Sequence, residues 1–167
     1  MSLADDIACL KRQEERLQFK AFDEAAAWAL GSHMREQAAA RKLPFVIDIR
    51  IGIRPLFYAA LPGSTPENPD WVRRKVNTVY RFEASSYRTT LEYKLNGKSF
   101  DVSRGLDPLQ YAAAGGGFPI RIIGTGVVGA VTVSGVPQRE DHNFVSESIA
   151  HHLGVAYAEI ALGPETA

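Results

Sequence analysis

Apolar positions along the chain alternate between a helical and an extended period, and the changes of period mark its elements. From Ala4 to Gln18 only Ile7, Leu10 and Leu17 stand out among many charges, which predicts a short surface helix. Beyond Asp23, a residue suited to capping, Ala26, Ala29, Leu30, Met34 and Ala38 recur at helical spacing. Arg41 and Lys42 suit the negative end of that helix, and Pro44 stops it. Phe45 to Ile51 then alternates and is rich in β-branched residues, and Arg54 to Ala59 reads as its returning strand after Gly52. Leu61 to Pro69, with its three prolines, reads as a loop. A helix over Asp70 to Phe82 is followed by a second, capped by Ser85 or Ser86 and ended at Asn96-Gly97. Lys98 to Gly117 has no clear period, and irregular runs of that length inside a domain are usually functional or mobile. Phe118 to Ile123 and Val127 to Ser134 form a hairpin about Gly124-Thr125-Gly126. A last helix is expected over Glu140 to Ile160, with Val145, Ile149, Leu153, Ala156 and Ile160 on one stripe. Hairpins dominate, so the fold expected is α+β with an antiparallel sheet between helices.

Composition narrows this picture. The 167 residues suit one domain over 1–167, with an N-terminal helix inside 1–17 and a short tail over 161–167. Nineteen basic residues balance nineteen acidic ones, which removes the simplest argument for nucleic acid. The acidic start, Met1-Ser2-Leu3-Ala4-Asp5-Asp6, lacks the order of a secretory signal, and no apolar run is long enough for a bilayer. Cys9 is the single cysteine and has no internal partner. A cytoplasmic protein without a membrane partner is the expectation.

Three places carry candidate chemistry. Lys75 falls among Trp71, Val72, Val79 and Phe82 on the apolar side of its helix, one turn after Trp71. A lysine there either meets a buried carboxylate or an anionic ligand, acts as a base, or lies along Trp71 with its ammonium in water. Arg73, Arg74, Asn77 and Arg81 share the other side, a basic face expected to be solvated or paired across a subunit interface. The run Gly115-Gly116-Gly117 either frees backbone N–H groups for an anion or answers a need for positive φ and close packing. It precedes a strand, so it is no nucleotide fingerprint. Asp141 is a candidate cap for the last helix, and His142 is either a candidate for general acid/base work or metal ligation, or a polar partner of the helix start. His151 and His152 point about 100° apart and His33 stands alone, so no metal motif arises, and no covalent haem motif is present. Cys9, in an exposed-looking helix, and the absence of G-x-S-x-G give nucleophilic catalysis no support.

Ala114 to Ile120, Val127 to Gly135 and Asp141-His142, taken in order, resemble the signature of the GlcG/HbpS-like (haem-degrading-domain) family. Asn68-Pro69-Asp70-Trp71, Arg73-Arg74-Lys75 and Ser85-Ser86-Tyr87 resemble its uncharacterised cytoplasmic branch. The resemblance spans about Gln18 to Gly154. It implies a profilin-like architecture, a five-stranded antiparallel sheet in α/β/α layers, assembly into a homo-oligomer, and haem as a cofactor of some members. It implies no reaction. The leading expectation is binding of a small anion near Lys75, Gly115, Gly116, Gly117, Asp141 and His142, with Lys75 and His142 the residues to suspect if the protein is an enzyme. Haem binding, and a non-catalytic scaffold or adaptor, are the alternatives.

Overall fold

The chain is described by a computed structural model over residues 2–165. Its elements run α1 (Leu3–Arg16), α2 (Glu24–Ala40), β1 (Val46–Ile51), β2 (Arg54–Ala60), α3 (Glu67–Phe82), α4 (Ser86–Leu95), β3 (Gly117–Ile122), β4 (Gly126–Ser134) and α5 (Gln138–Leu153), with short 3-10 turns at Val102–Arg104 and Tyr157–Glu159. The strands form one antiparallel sheet in the order β2-β1-β4-β3. The sheet therefore has four strands and not the five expected. Beyond β3, where a fifth would lie, a single residue pairs: Phe19 N–H donates to Arg121 O at 2.8 Å, and Phe19 O accepts from Ile123 N at 2.9 Å.

Strand alternation sends successive side chains to opposite faces. Ile47, Ile49, Phe118, Ile120, Val131 and Val133 pack against α2 and α5 in the main core. Val46 and Ala130 face the other way and meet Val72, Val76 and Val79 of α3. The sheet thus lies between α2 with α5 on one side and α3 on the other.

Local chemistry accounts for most boundaries. Asp23 caps α2 by accepting from Ala26 N at 2.8 Å, and Ser85 caps α4 through Arg88 N. α3 begins three residues earlier than expected, at Glu67, because Pro69 lies in the first turn, where no N–H is needed. α5 runs from Gln138 to Leu153 and so starts two residues earlier and ends seven earlier than expected. Gly154, at φ +69°, turns the chain away with the Val155 N–H on Ala150 O. Ala156 and Ile160 are off the helix, although Ile160 is buried.

Three surface segments are held by the rest of the chain. α1 is a docked helix: Leu10 and Leu17 are buried, and Cys9 lies against Ile160 O rather than in solvent. The basic side of α3 is not simply solvated. It straps the irregular 98–117 segment through Arg73 to Leu109 O, Asn77 to Gln110 O and Arg81 to Gly105 O, at 2.8–3.0 Å. The tail is likewise held, with Leu162 buried and the Arg139 guanidinium donating to Leu162 O and Gly163 O. Residues 166–167 of the expected tail lie outside the described residues.

Candidate functional site

The first turns of α3 and α5 border one cleft beside the end of β4. Both helices start after a proline, Pro66 and Pro137, and neither has a side-chain cap. Their N-termini carry partial positive charge and frame a cleft of about 290 Å³. Its lining comes from Glu67, Asn68, Trp71 and Lys75 of α3, Ser134, Gly135 and Val136 at the end of β4, Gln138 and Asp141 of α5, and Ala114.

Lys75 forms the inner wall. Its apolar-side position in α3 carries the side chain under the sheet end, not out along Trp71, and it is 3% exposed. The ammonium donates to Asp141 Oδ2 at 2.8 Å and to Val133 O at 3.0 Å. Asp141, 2% exposed, accepts from Val136 N at 3.0 Å through its other oxygen. Its bond is therefore to the turn before α5, which it ties to the helix's first turn. Burial lowers the Lys75 pKa and raises that of Asp141, because both charges are withdrawn from water. Their contact opposes both shifts.

The glycine run explains how the pair fits. A Cβ on Gly116, which has φ +125°, would stand 2.7 Å from Lys75 Nζ and 2.6 Å from Val133 O. Gly115 N–H donates to Gln138 Oε1 at 3.2 Å and Gly117 N–H to Ser86 Oγ at 3.0 Å. Two of the three amides are thus used inside the protein, and the run brings β3 close to α5 and α3.

Asp141 and His142 part company, being neighbours on a helix and so about 100° apart. His142 does not line the cleft. It is wholly buried between α5 and α1, with Nε2 2.7 Å from Gln13 Oε1. Because Gln13 Nε2 already donates to Ile160 O at 2.8 Å, Oε1 faces the imidazole and Nε2 carries the proton. Burial, with Arg139 adding to it, pushes the His142 pKa down to about 3, so the ring is neutral at pH 7. Nδ1 is buried without a hydrogen-bond partner.

The sequence named segments of the rim but not their convergence. Trp71 is 37% exposed and is fixed by the Arg74 guanidinium 4.0 Å from its ring centroid. Asn68 Nδ2 donates to Ser134 Oγ at 3.1 Å. Asn68, Trp71 and Ser134 belong to segments that carry the family resemblance, whereas Gln138 follows no motif.

Haem can be tested against this cleft. Iron takes His, Cys, Met or Tyr ligands, and none lines it. His33 and His151 lie elsewhere, stacked at 3.9 Å between α2 and α5, and His152 packs beside Phe19. The cleft residues do not fit haem as an axially ligated group. Among the described residues no cluster of three or more His, Cys, Asp or Glu is placed to hold a metal ion, and no helix is long and apolar enough to cross a membrane.

Residues 22–150 match the family described as haem-degrading protein HbpS-like. A UPF0303 protein of Mesorhizobium japonicum is 50% identical over 165 residues, covering 99% of each chain. Among solved structures, Ybr137w protein superposes with a TM-score of 0.83 at 25% identity over 92% of this chain and 93% of that one. A PduOC:heme complex gives a TM-score of 0.65 at 17% identity over 78% and 94%, a likeness of fold alone.

Proposed function

The chain belongs to the HbpS-like family of haem-degrading proteins, and from that premise we propose that it binds a small carboxylate or similar anion in the cleft between α3 and α5. The observation that carries this reading is the buried Lys75 ammonium on the wall of a cleft framed by two helix N-termini without side-chain caps. The volume, about 290 Å³, is at the low end for small-molecule sites. Glu67 on the rim repels a second negative charge, which favours a monoanion over a dianion. In this reading Asp141 orients Lys75, Gly115–Gly117 give the wall its shape, and His142 supports α5 from behind. The homo-oligomer expected from the sequence is part of the same proposal, and light scattering behind size exclusion measures it directly.

A thermal-shift series with monocarboxylates, dicarboxylates and phosphate tests the site. A bound anion raises the midpoint with concentration, by the equivalent of about 2.7 kcal/mol at a hundredfold excess over Kd. The rise is expected to shrink in Trp71→Ala and Gln138→Ala, which alter the rim without touching the buried pair. No rise with any anion, or an equal rise in both variants, sinks the reading.

Haem is the second reading, favoured by the family and by the fold shared with the PduOC:heme complex. Since the cleft offers no axial ligand, this reading puts haem at the surface near His33 and His151, the latter exposed. Titration with haemin should then give a Soret band that His151→Ala abolishes. A band unchanged in both His33→Ala and His151→Ala would remove that site.

A further inference from the structure

The chain has six lysines, and five of them, Lys11, Lys20, Lys42, Lys94 and Lys98, are exposed. An exposed lysine, with a pKa of about 10.4, is almost wholly protonated at neutral pH and attacks carbonyl groups slowly. Lys75 differs in its surroundings. It is out of water, it lines a cleft, and a carboxylate 2.8 Å away can receive its proton. We propose that Lys75 forms an imine with the carbonyl carbon of a small oxo acid held in this cleft, a proposal that rests on the carboxylate-binding reading above.

The step balances within the site. The Lys75 ammonium gives one proton to Asp141, and the freed amine lone pair forms a bond to the carbonyl carbon as the C=O π pair moves to oxygen. Asp141 returns the proton to that oxygen, giving a carbinolamine. A proton from nitrogen then passes to the hydroxyl, the C–O bond breaks, and water leaves as C=N forms. Ammonium and ketone become protonated imine and water, with no oxidant, reductant or further reactant. Val133 O, 3.0 Å from Nζ, holds the nitrogen during the exchange, and Gly116 leaves it room. The acid's carboxylate lies toward the start of α5, where the helix dipole favours it, and its short carbon chain lies against Trp71, Ala114 and Val136. Burial of the amine acts in the same direction, since it lowers the Lys75 pKa.

The test is reductive trapping of the wild-type protein with pyruvate and sodium borohydride at neutral pH, read by intact mass and peptide mapping. A thermal-shift titration with pyruvate and with lactate, which lacks the oxo group, runs beside it. The expected result is a single reduced adduct on the Lys75 peptide, formed at least tenfold faster than on any exposed lysine. Lactate should compete with labelling and leave no adduct. Asp141→Asn should slow trapping at least tenfold while Lys75→Arg abolishes it, each folded by circular dichroism. The wild-type map needs neither variant. Adducts spread over the exposed lysines overturn the proposal. Pyruvate and lactate that stabilise the protein without trapping overturn the imine and leave carboxylate binding standing. If neither shifts the midpoint and nothing is trapped, both fail.

Discussion

Lys75 Nζ and Asp141 Oδ2 lie 2.8 Å apart, and the two side chains are 3% and 2% exposed. They come from α3 and α5, and the contact joins the helix beneath the sheet to the helix above it at one end of β4. A surface ion pair contributes little because water competes for both charges. Here neither charge has that alternative, so each depends on the other.

Removing one partner should therefore cost more than removing both. Lys75→Met or Asp141→Asn alone is expected to lose about 3–5 kcal/mol for Met and somewhat less for Asn, and the double variant should recover part of the loss. Urea unfolding of the four proteins measures the coupling. Losses that simply add would mean that the pair is not coupled.

Gly116→Ala should destabilise the protein and disturb the same pair. Its positive φ alone costs about 1–3 kcal/mol with a side chain present, and the added carbon stands against Lys75 Nζ and Val133 O. Gly124→Ala, also at positive φ but with nothing within 4 Å, serves as the control. Equal losses in the two would reduce Gly116 to a matter of backbone conformation.

His142 predicts acid sensitivity. Its folded pKa, about 3, lies below the ordinary 6.5, so between those values the unfolded chain binds a proton that the folded one refuses. Stability should fall as pH drops through that window, by up to about 1.4 kcal/mol per pH unit from this group. It should change little from this group above pH 7. In His142→Gln the acid slope should flatten, as measured by denaturant midpoints from pH 7 to pH 4. An unchanged slope would assign the acid sensitivity to carboxylates.

Gln13 joins α1, α5 and the C-terminal segment through one amide. Gln13→Ala leaves His142 Nε2 without a partner, at about 1–3 kcal/mol for the buried group, and leaves Ile160 O with only the weak Cys9 thiol donor. A loss below 1 kcal/mol in thermal or urea unfolding would mean that water replaces the amide.

Weakening the basic side of α3 should act locally. In Arg73→Ala/Arg81→Ala, amide exchange is expected to rise across 98–117, while global stability changes by about 1 kcal/mol or less. Faster exchange throughout the chain would show that this segment unfolds only with the whole.

Much of this molecule was legible from local rules. Caps at Asp23 and Ser85, the hairpin joining β3 to β4, the antiparallel pairing of β1 with β2 and the helical run carrying Lys75 all depend on neighbours within a few residues. The misplaced starts of α3 and α5 did as well, and came from treating Pro69 and the approach to Glu140 as breakers rather than first-turn residues. The four strands were each read from local pattern, and the fifth came only from the resemblance; where it would lie, Phe19 alone pairs with β3. Other features had no local signal. The basic face of α3 looked solvated because the carbonyls it holds come from a segment some 30 residues onward. Lys75 was visibly on an apolar side, yet whether its ammonium reached water or a carboxylate depended on Asp141, 66 positions away. Spacing along a helix fixes which way a side chain leaves the axis. What it meets there is set by packing between distant elements, and that packing put Gln13 against His142 and brought Lys75 to Asp141.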